Sequence, residues 1–149
     1  MLANLYQDPV TGHHSLRATA SLLKGQVFCA FSAADNLGHP TRFTLQVDEG
    51  RHILLSPEPL WYINHSCVPN IFFDMDAMEI VCLADISPGE ELRFFYPSTE
   101  WSMAEPFDCL CGSPNCLGRI SGASGLSDEV LEGYRLTPYV RKKWMERNR

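Results

Sequence analysis

The sequence predicts a mainly β protein whose few helices are short and confined to the C-terminal end. Two patterns carry that prediction: short runs rich in Val, Ile, Leu and Phe recur through the first hundred residues, each closed by a turn signal, and helix-capping chemistry waits until Ser127. At 149 residues and 45% hydrophobic, the chain has material for one compact core and little for a second.

Residues 26–31, 43–47 and 52–55 read as the first strands, with Asp48-Glu49-Gly50 forming an obvious turn. Two further runs, 71–74 and 79–83, flank the polar Met75-Asp76-Ala77, and residues 92–96 follow the Pro88-Gly89 turn. That makes about six short strands. Near the end, Ser127 can cap a helix whose Asp128 and Glu129 suit the positive end of the helix dipole, with Leu131 and Tyr134 facing inward. A second short helix starts with Thr137 as cap and Pro138 at its first position, and is expected to fray into the basic terminus. Residues 121–125 look like the one flexible joint, and no repeat or low-complexity tract breaks the chain into separate units.

The formal charge is −6 and unevenly placed: residues 141–149 carry a net +4, leaving −10 on residues 1–140. An acidic body suits a basic partner, although simple solubility explains the same charge. No run of about 18 apolar residues occurs, and the first ten residues lack a basic cluster followed by an apolar stretch. A soluble, intracellular protein without a membrane partner is therefore expected. The six cysteines fit thiolate chemistry better than a disulfide framework, because Cys109 and Cys111 flank a single residue and no secretory signal is present.

The densest chemistry lies in Trp61-Tyr62-Ile63-Asn64-His65-Ser66-Cys67-Val68-Pro69-Asn70, where hydrogen-bonding groups interrupt apolar strands. Alone, it would read as a structural turn built on Asn, Ser and Pro. It is followed by Ile86-Ser87-Pro88-Gly89-Glu90-Glu91-Leu92-Arg93-Phe94-Phe95-Tyr96, a turn, an acidic pair and a strand ending in tyrosine. Then Cys109, Cys111 and Cys116 stand in a C-x-C-x4-C spacing, tight enough for three thiolates on one metal ion. The fourth tetrahedral position would go to water, giving a catalytic metal, or to another cysteine, giving a closed structural site. Cys29, Cys67 and Cys82 are the candidates; Cys29 and Cys82 sit in apolar runs that favour inert burial, and Cys67, in a polar turn, is better placed.

Asn-His-Ser-Cys-x-Pro-Asn, then Gly-Glu-Glu-Leu with an aromatic strand ending in Tyr, then Cys-x-Cys-x4-Cys, resembles the SET-domain protein lysine methyltransferases with a post-SET zinc segment. The match is close over residues 61–118 and loose over 13–60. The resemblance implies a SET (β-clip) fold of short sheets with a knot-like active site where S-adenosylmethionine and a substrate lysine meet from opposite faces. It implies a SET domain over residues 1–104, a post-SET zinc segment over 105–120 and a helical extension over 121–149.

By the same resemblance, Asn64 and His65 hold the cofactor with Tyr62 and Leu110, and Tyr96 presents its hydroxyl at the transfer centre. Phe94 and Phe95 would line the substrate channel, with Phe94 where the family carries a residue that limits methyl addition; Phe there implies di- or trimethylation. Zn2+ would be held by Cys67, Cys109, Cys111 and Cys116, drawing Leu110 and Leu117 over the channel. The implied partner is a lysine-bearing basic protein such as a histone tail.

Two departures stand out. The family's Gly-x-Gly near the first strand is replaced within His13-His14-Ser15-Leu16-Arg17-Ala18, and Trp61 stands where arginine is common. The missing glycines support a rival reading, a SET fold kept as a binding module without catalysis; Tyr96, Asn64, His65 and the cysteines together oppose it. A zinc-knuckle protein that binds nucleic acid is disfavoured by the −10 body.

Overall fold

The computed structural model describes residues 1–149. Twelve short strands form five small sheets, and two helices close the chain. The first two strands, β1 (Ala3–Gln7) and β2 (His14–Ala18), pair as an antiparallel hairpin with Leu5 opposite Leu16. Residues 3–7 show no alternating pattern because β1 lies outside, exposing four of its five residues, while Leu16 and Ala18 of β2 are buried.

The apolar run at 26–31 feeds two strands, β3 (Val27–Ala30) and β4 (Ser32–Leu37). Phe31 lies between them, buried, with its ring edge-on to Phe73 at 5.5 Å. Strands β5 (Thr44–Asp48) and β6 (Arg51–Ser56) join β4 in a sheet of order β4-β6-β5. Gly50 has φ +61, and the Asp48 carboxylate accepts from the Glu49 N–H at 2.8 Å, which closes the turn between β5 and β6. Strand β4 escapes a sequence reading because Ser32-Ala33-Ala34-Asp35-Asn36-Leu37 is half polar, has no β-branched or aromatic residue and is mostly exposed; its edge position asks for little burial.

Three strands then frame the centre. The two-residue β7 (Asn64–His65) is followed by the hairpin of β8 (Ile71–Asp74) and β9 (Glu79–Cys82), which pairs with β3 in the order β3-β9-β8. Phe73 and Ile80, opposite each other, are fully buried. The chain returns as β10 (Arg93–Phe94), parallel to β7, with Arg93 opposite Asn64 and Phe94 opposite His65. Parallel partners require a long crossover, supplied here by the β8–β9 hairpin and the turn at 83–91. The expected strand at 92–96 stops early because Pro97 has no N–H to donate, and residues 96–98 form a 3₁₀ turn instead.

Beyond it, β11 (Phe107–Asp108) pairs with β12 (Arg119–Ile120), bracketing the cysteine segment. Residues 121–125 are no flexible joint. Gly122 has φ +115, and a Cβ there would sit 2.5 Å from the Trp101 carbonyl oxygen, so glycine is required by close packing. Ala123 is fully buried, and its N–H donates to Glu100 O at 2.9 Å.

Helix α1 (Asp128–Glu132) is capped as expected, the Ser127 hydroxyl accepting from the Val130 N–H at 3.3 Å. Helix α2 (Pro138–Arg147) starts at Thr137 and Pro138 and holds through ten residues rather than fraying. Its last turn is tied down: Arg147 reaches the Asp128 carboxylate at 2.6 Å, and the Trp144 indole N–H donates to the same carboxylate at 2.8 Å. Leu131, Leu136 and Val140 bury a small second core against Ala123. No helix is long and apolar enough to cross a membrane.

Candidate active site

The parallel pair β7–β10 places the motif residues. Asn64 points toward the N-terminal hairpin, its Nδ2 donating to His14 O at 2.8 Å and to the Glu91 carboxylate at 3.1 Å. Glu91 also holds Arg93 at 3.3 Å. Asn70, five residues past His65, acts as a clasp across the crossover: its Oδ1 accepts from the Arg93 N–H at 2.8 Å and its Nδ2 donates to Glu91 O at 2.9 Å. Neither Asn70 nor Glu91 is named by the sequence reading as a site residue, although the Asn and the acidic pair were both within its motifs.

His65 is buried, and its ring has a defined tautomer. The Tyr96 backbone N–H donates to Nδ1 at 3.0 Å, so the ring proton belongs on Nε2, which faces the Cys67 sulfur at 3.5 Å. Burial pushes the His65 pKa down to about 4, so the imidazole is neutral at ordinary pH.

Tyr96 follows directly from β10. Its hydroxyl donates to Ile63 O at 3.2 Å, and its ring packs against Phe94 at 4.7 Å, His65 at 5.2 Å and Phe107 at 5.8 Å. Burial pushes the phenol up to about 12, so it stays a neutral O–H that can donate or accept. Phe94 shares the face of Tyr96 because strand side chains alternate. Phe95 points the other way. It is fully buried and stacks on Tyr134 with ring centroids 3.6 Å apart, so it belongs to the core rather than to a channel.

Tyr62 is half-buried beside His14, ring centroids 4.8 Å apart, and Phe43 lies 5.8 Å from it. The His13-His14-Ser15 stretch thus places an imidazole ring where glycine would leave the backbone bare. Trp61 is held by its indole N–H, which donates to Leu55 O at 2.7 Å.

The cysteine segment folds back onto this centre. The sulfurs of Cys67, Cys109, Cys111 and Cys116 all lie within 4.8 Å of one another, while Cys29 and Cys82 stay in β3 and β9. Four thiolates on one tetrahedral zinc stand about 3.8 Å apart, and Cys67 Sγ and Cys109 Sγ are 3.9 Å apart. The Leu117 N–H points at Cys67 Sγ at 3.4 Å, as donors do toward metal-bound thiolate. Burial pushes the Cys67 and Cys109 thiols up, a penalty that a bound dication would cancel. The donor set fits zinc. Leu117 packs against this cluster, but Leu110 does not close over anything; it is 94% exposed at the tip of the loop. Tyr134, from the connection between the helices, donates its hydroxyl to Cys67 O at 2.6 Å.

One buried acid went unnoticed in the sequence. Glu100, four residues past Tyr96, is 7% exposed, and a single carboxylate oxygen accepts from the Thr99 hydroxyl at 2.6 Å and the Gln46 N–H at 3.1 Å. Burial pushes it up to about 7.

Set beside known proteins, the SET domain family model matches residues 14–97. The chain is 42% identical over 129 residues to "Methyltransferase flvH" of Aspergillus flavus, an alignment covering 85% of this chain and 72% of that protein. It is 33% identical over 100 residues to a histone-lysine N-methyltransferase, H3 lysine-36 specific, of Candida albicans, covering 59% of this chain. That stretch is only 12% of the larger protein. Among solved structures, KRYPTONITE in complex with mCHG DNA and SAH superposes with TM-score 0.58 at 20% identity, over 78% of this chain and 28% of that one. A second KRYPTONITE complex, with mCHH DNA, H3(1-15) peptide and SAH, gives 0.57 at 21%, over 78% of this chain and 29% of that one. At such identities these two superpositions establish the fold.

Proposed function

We propose, from the premise that this chain belongs to the SET-domain family of methyltransferases, that it transfers methyl groups to the ε-amine of a protein lysine on a histone or other basic protein. The observation that carries the reading is Tyr96: a neutral hydroxyl pinned to Ile63 O beside the parallel pairing of Asn64-His65 with Arg93-Phe94. The methyl donor would be S-adenosylmethionine, which supplies an already activated methyl group, so the protein needs to orient an amine rather than to generate a strong nucleophile. The SAH in both KRYPTONITE complexes, the H3 peptide in one and the histone-lysine names of the more distant relatives support this choice of donor and acceptor.

In this reading Asn64, His65 and Tyr62 bind the donor. Asn64 is held by His14 and Glu91, and His65 by Tyr96, so these side chains are oriented before a donor would bind. The Tyr96 hydroxyl directs the lone pair of the lysine amine, while the surrounding apolar rings disfavour its ammonium form. Phe94, against Tyr96, bounds the space for added methyl groups. Zn2+ on Cys67, Cys109, Cys111 and Cys116 is structural: four cysteines close its coordination, so it activates no water. On this proposal residues 105–120 are the metal-holding segment of a SET domain spanning 1–104, and 121–149 are its extension, in a protein that works inside the cell.

The test is direct. Calorimetric titration should show S-adenosylmethionine binding, and radiolabelled transfer to histones should be detectable. Tyr96→Phe should reduce transfer by about 10²-fold or more while leaving fold and zinc content intact. Mass spectrometry on the wild-type product should show di- or trimethyl lysine. Absence of cofactor binding would favour the non-catalytic binding module, a reading that the His14 ring beside Tyr62 supports.

A further inference from the structure

A cavity of about 190 Å3 lies outside the Tyr96 centre, where three elements meet: the β5–β6 hairpin, the β8–β9 turn and the N-terminal end of α2. Its body is apolar, made by Val47 and Ile53 from the hairpin and by Met75 and Met78 from the turn. Methionine side chains adapt readily to a guest. Met78 is also the one non-glycine residue with a left-handed backbone, φ +55, a conformation that costs energy and is found at ligand clamps. It is held there by its own carbonyl, which accepts from the Phe31 N–H at 3.0 Å.

Two charged side chains line the cavity, and they are of opposite sign. Arg51 donates through Nε to Asn36 at 3.1 Å and forms no salt bridge; Asp76 forms none either. The nearby Glu49 is already engaged by Lys143 at 3.5 Å and by the Tyr139 hydroxyl at 2.7 Å, so it does not compete for Arg51. The end of α2 adds positive potential beside Arg51's rim, and Thr137 there makes no side-chain cap bond, its buried hydroxyl lacking a partner.

An apolar cavity with one cation and one anion that are in no salt bridge matches a small zwitterion on an aliphatic body. We propose that this cavity binds a free α-amino acid with an aliphatic side chain, its carboxylate on Arg51 and the α2 end, its ammonium on Asp76. The size agrees. A cavity of about 150 Å3 holds benzene, so this one takes a ligand only a few atoms larger.

The experiment is calorimetric titration of the full chain with L-leucine, and with 4-methylpentanoate and isoamylamine, which each keep one of its two charges. Leucine should bind one to one, and both single-charge analogues should bind about tenfold or more weakly than it. Arg51→Gln and Asp76→Asn, both on the exposed rim, should each weaken leucine by about tenfold, with the thermal midpoint of the unliganded protein unchanged for Asp76→Asn and only slightly lowered for Arg51→Gln, which loses its bond to Asn36. Val47→Phe, which fills the chamber, should abolish binding; were it not to fold, the two rim variants decide. Saturating S-adenosylmethionine should leave leucine binding unchanged. The proposal is overturned by no binding at millimolar leucine, by equal binding to either rim variant, by an analogue that matches leucine, or by displacement with S-adenosylmethionine.

Discussion

The two halves of the candidate centre are built by different forces. Around Tyr96, the body closes on itself: Leu16, Phe73, Ile80 and Leu92 are fully buried, and Asn64 and Asn70 spend their amides on backbone and carboxylate partners. The cysteine segment between β11 and β12 has few apolar side chains to bury, and its two strands are only two residues long. Its inner surface is sulfur. Hydrophobic burial therefore organises the first half, whereas the second depends on what its thiols can bind. Tyr134 joins them, stacking on Phe95 of the body and bonding to Cys67 O in the sulfur cluster.

The sharpest way to break this contrast is to deny the four cysteines the zinc proposed for them. Cys67→Ser, or chelation, should lower zinc below one per chain and expose the amides of residues 105–120 to hydrogen exchange. The body should keep its cooperative unfolding and far-ultraviolet circular dichroism; loss of both together would show that the halves fold as one. Phe73→Ala is the converse. It should cost the body about 3–5 kcal/mol in denaturant melts, and zinc content should persist wherever the chain stays folded.

Glu100 tests the body through pH. Its folded pKa, raised to about 7 by burial against an ordinary 4.5, means that the fold favours the protonated acid. The stability it contributes is complete below about pH 4.5 and is lost as pH rises through 7, about 3 kcal/mol in all. Glu100→Gln keeps an oxygen for both Thr99 and Gln46, so it should raise the thermal midpoint at pH 8 and leave it unchanged at pH 4. The smallest effect is expected from the bridge: Tyr134→Phe retains the stack on Phe95 but loses the bond to Cys67 O, costing about 1 kcal/mol in the same melts.

Much of this was legible in the residue order. The strand at 71–74, the one expected at 79–83 (it ends at Cys82), the turn at Gly50 and the cap at Ser127 follow local rules, and the structure has each of them. Elements that face water on most sides were hidden, because exposed strands such as β1 and β4 need no apolar alternation. Residues 121–125 misled for a related reason: Ser-Gly-Ala-Ser-Gly has the composition of a linker, yet Gly122 is there to let the chain pass against Trp101. Phe94 and Phe95 looked alike as sequence neighbours. Only strand alternation with partners on both sides sends one to Tyr96 and the other to Tyr134.

The sequence by itself determined the kind of chemistry: an Asn-His-Ser-Cys turn, a strand ending in Tyr96, three clustered thiols and, through their order, the family. Short-range spacing carries such information because it is local. Tertiary structure brought Cys67, the cysteine the resemblance implied, to the other three thiols, and it decided which nitrogen of His65 carries the proton and that Asn64 is held by His14 across 50 residues of chain. It also left Leu110 in solvent. Those outcomes depend on contacts between distant segments, and such contacts are set by how the whole core packs rather than by any residue's neighbours in sequence.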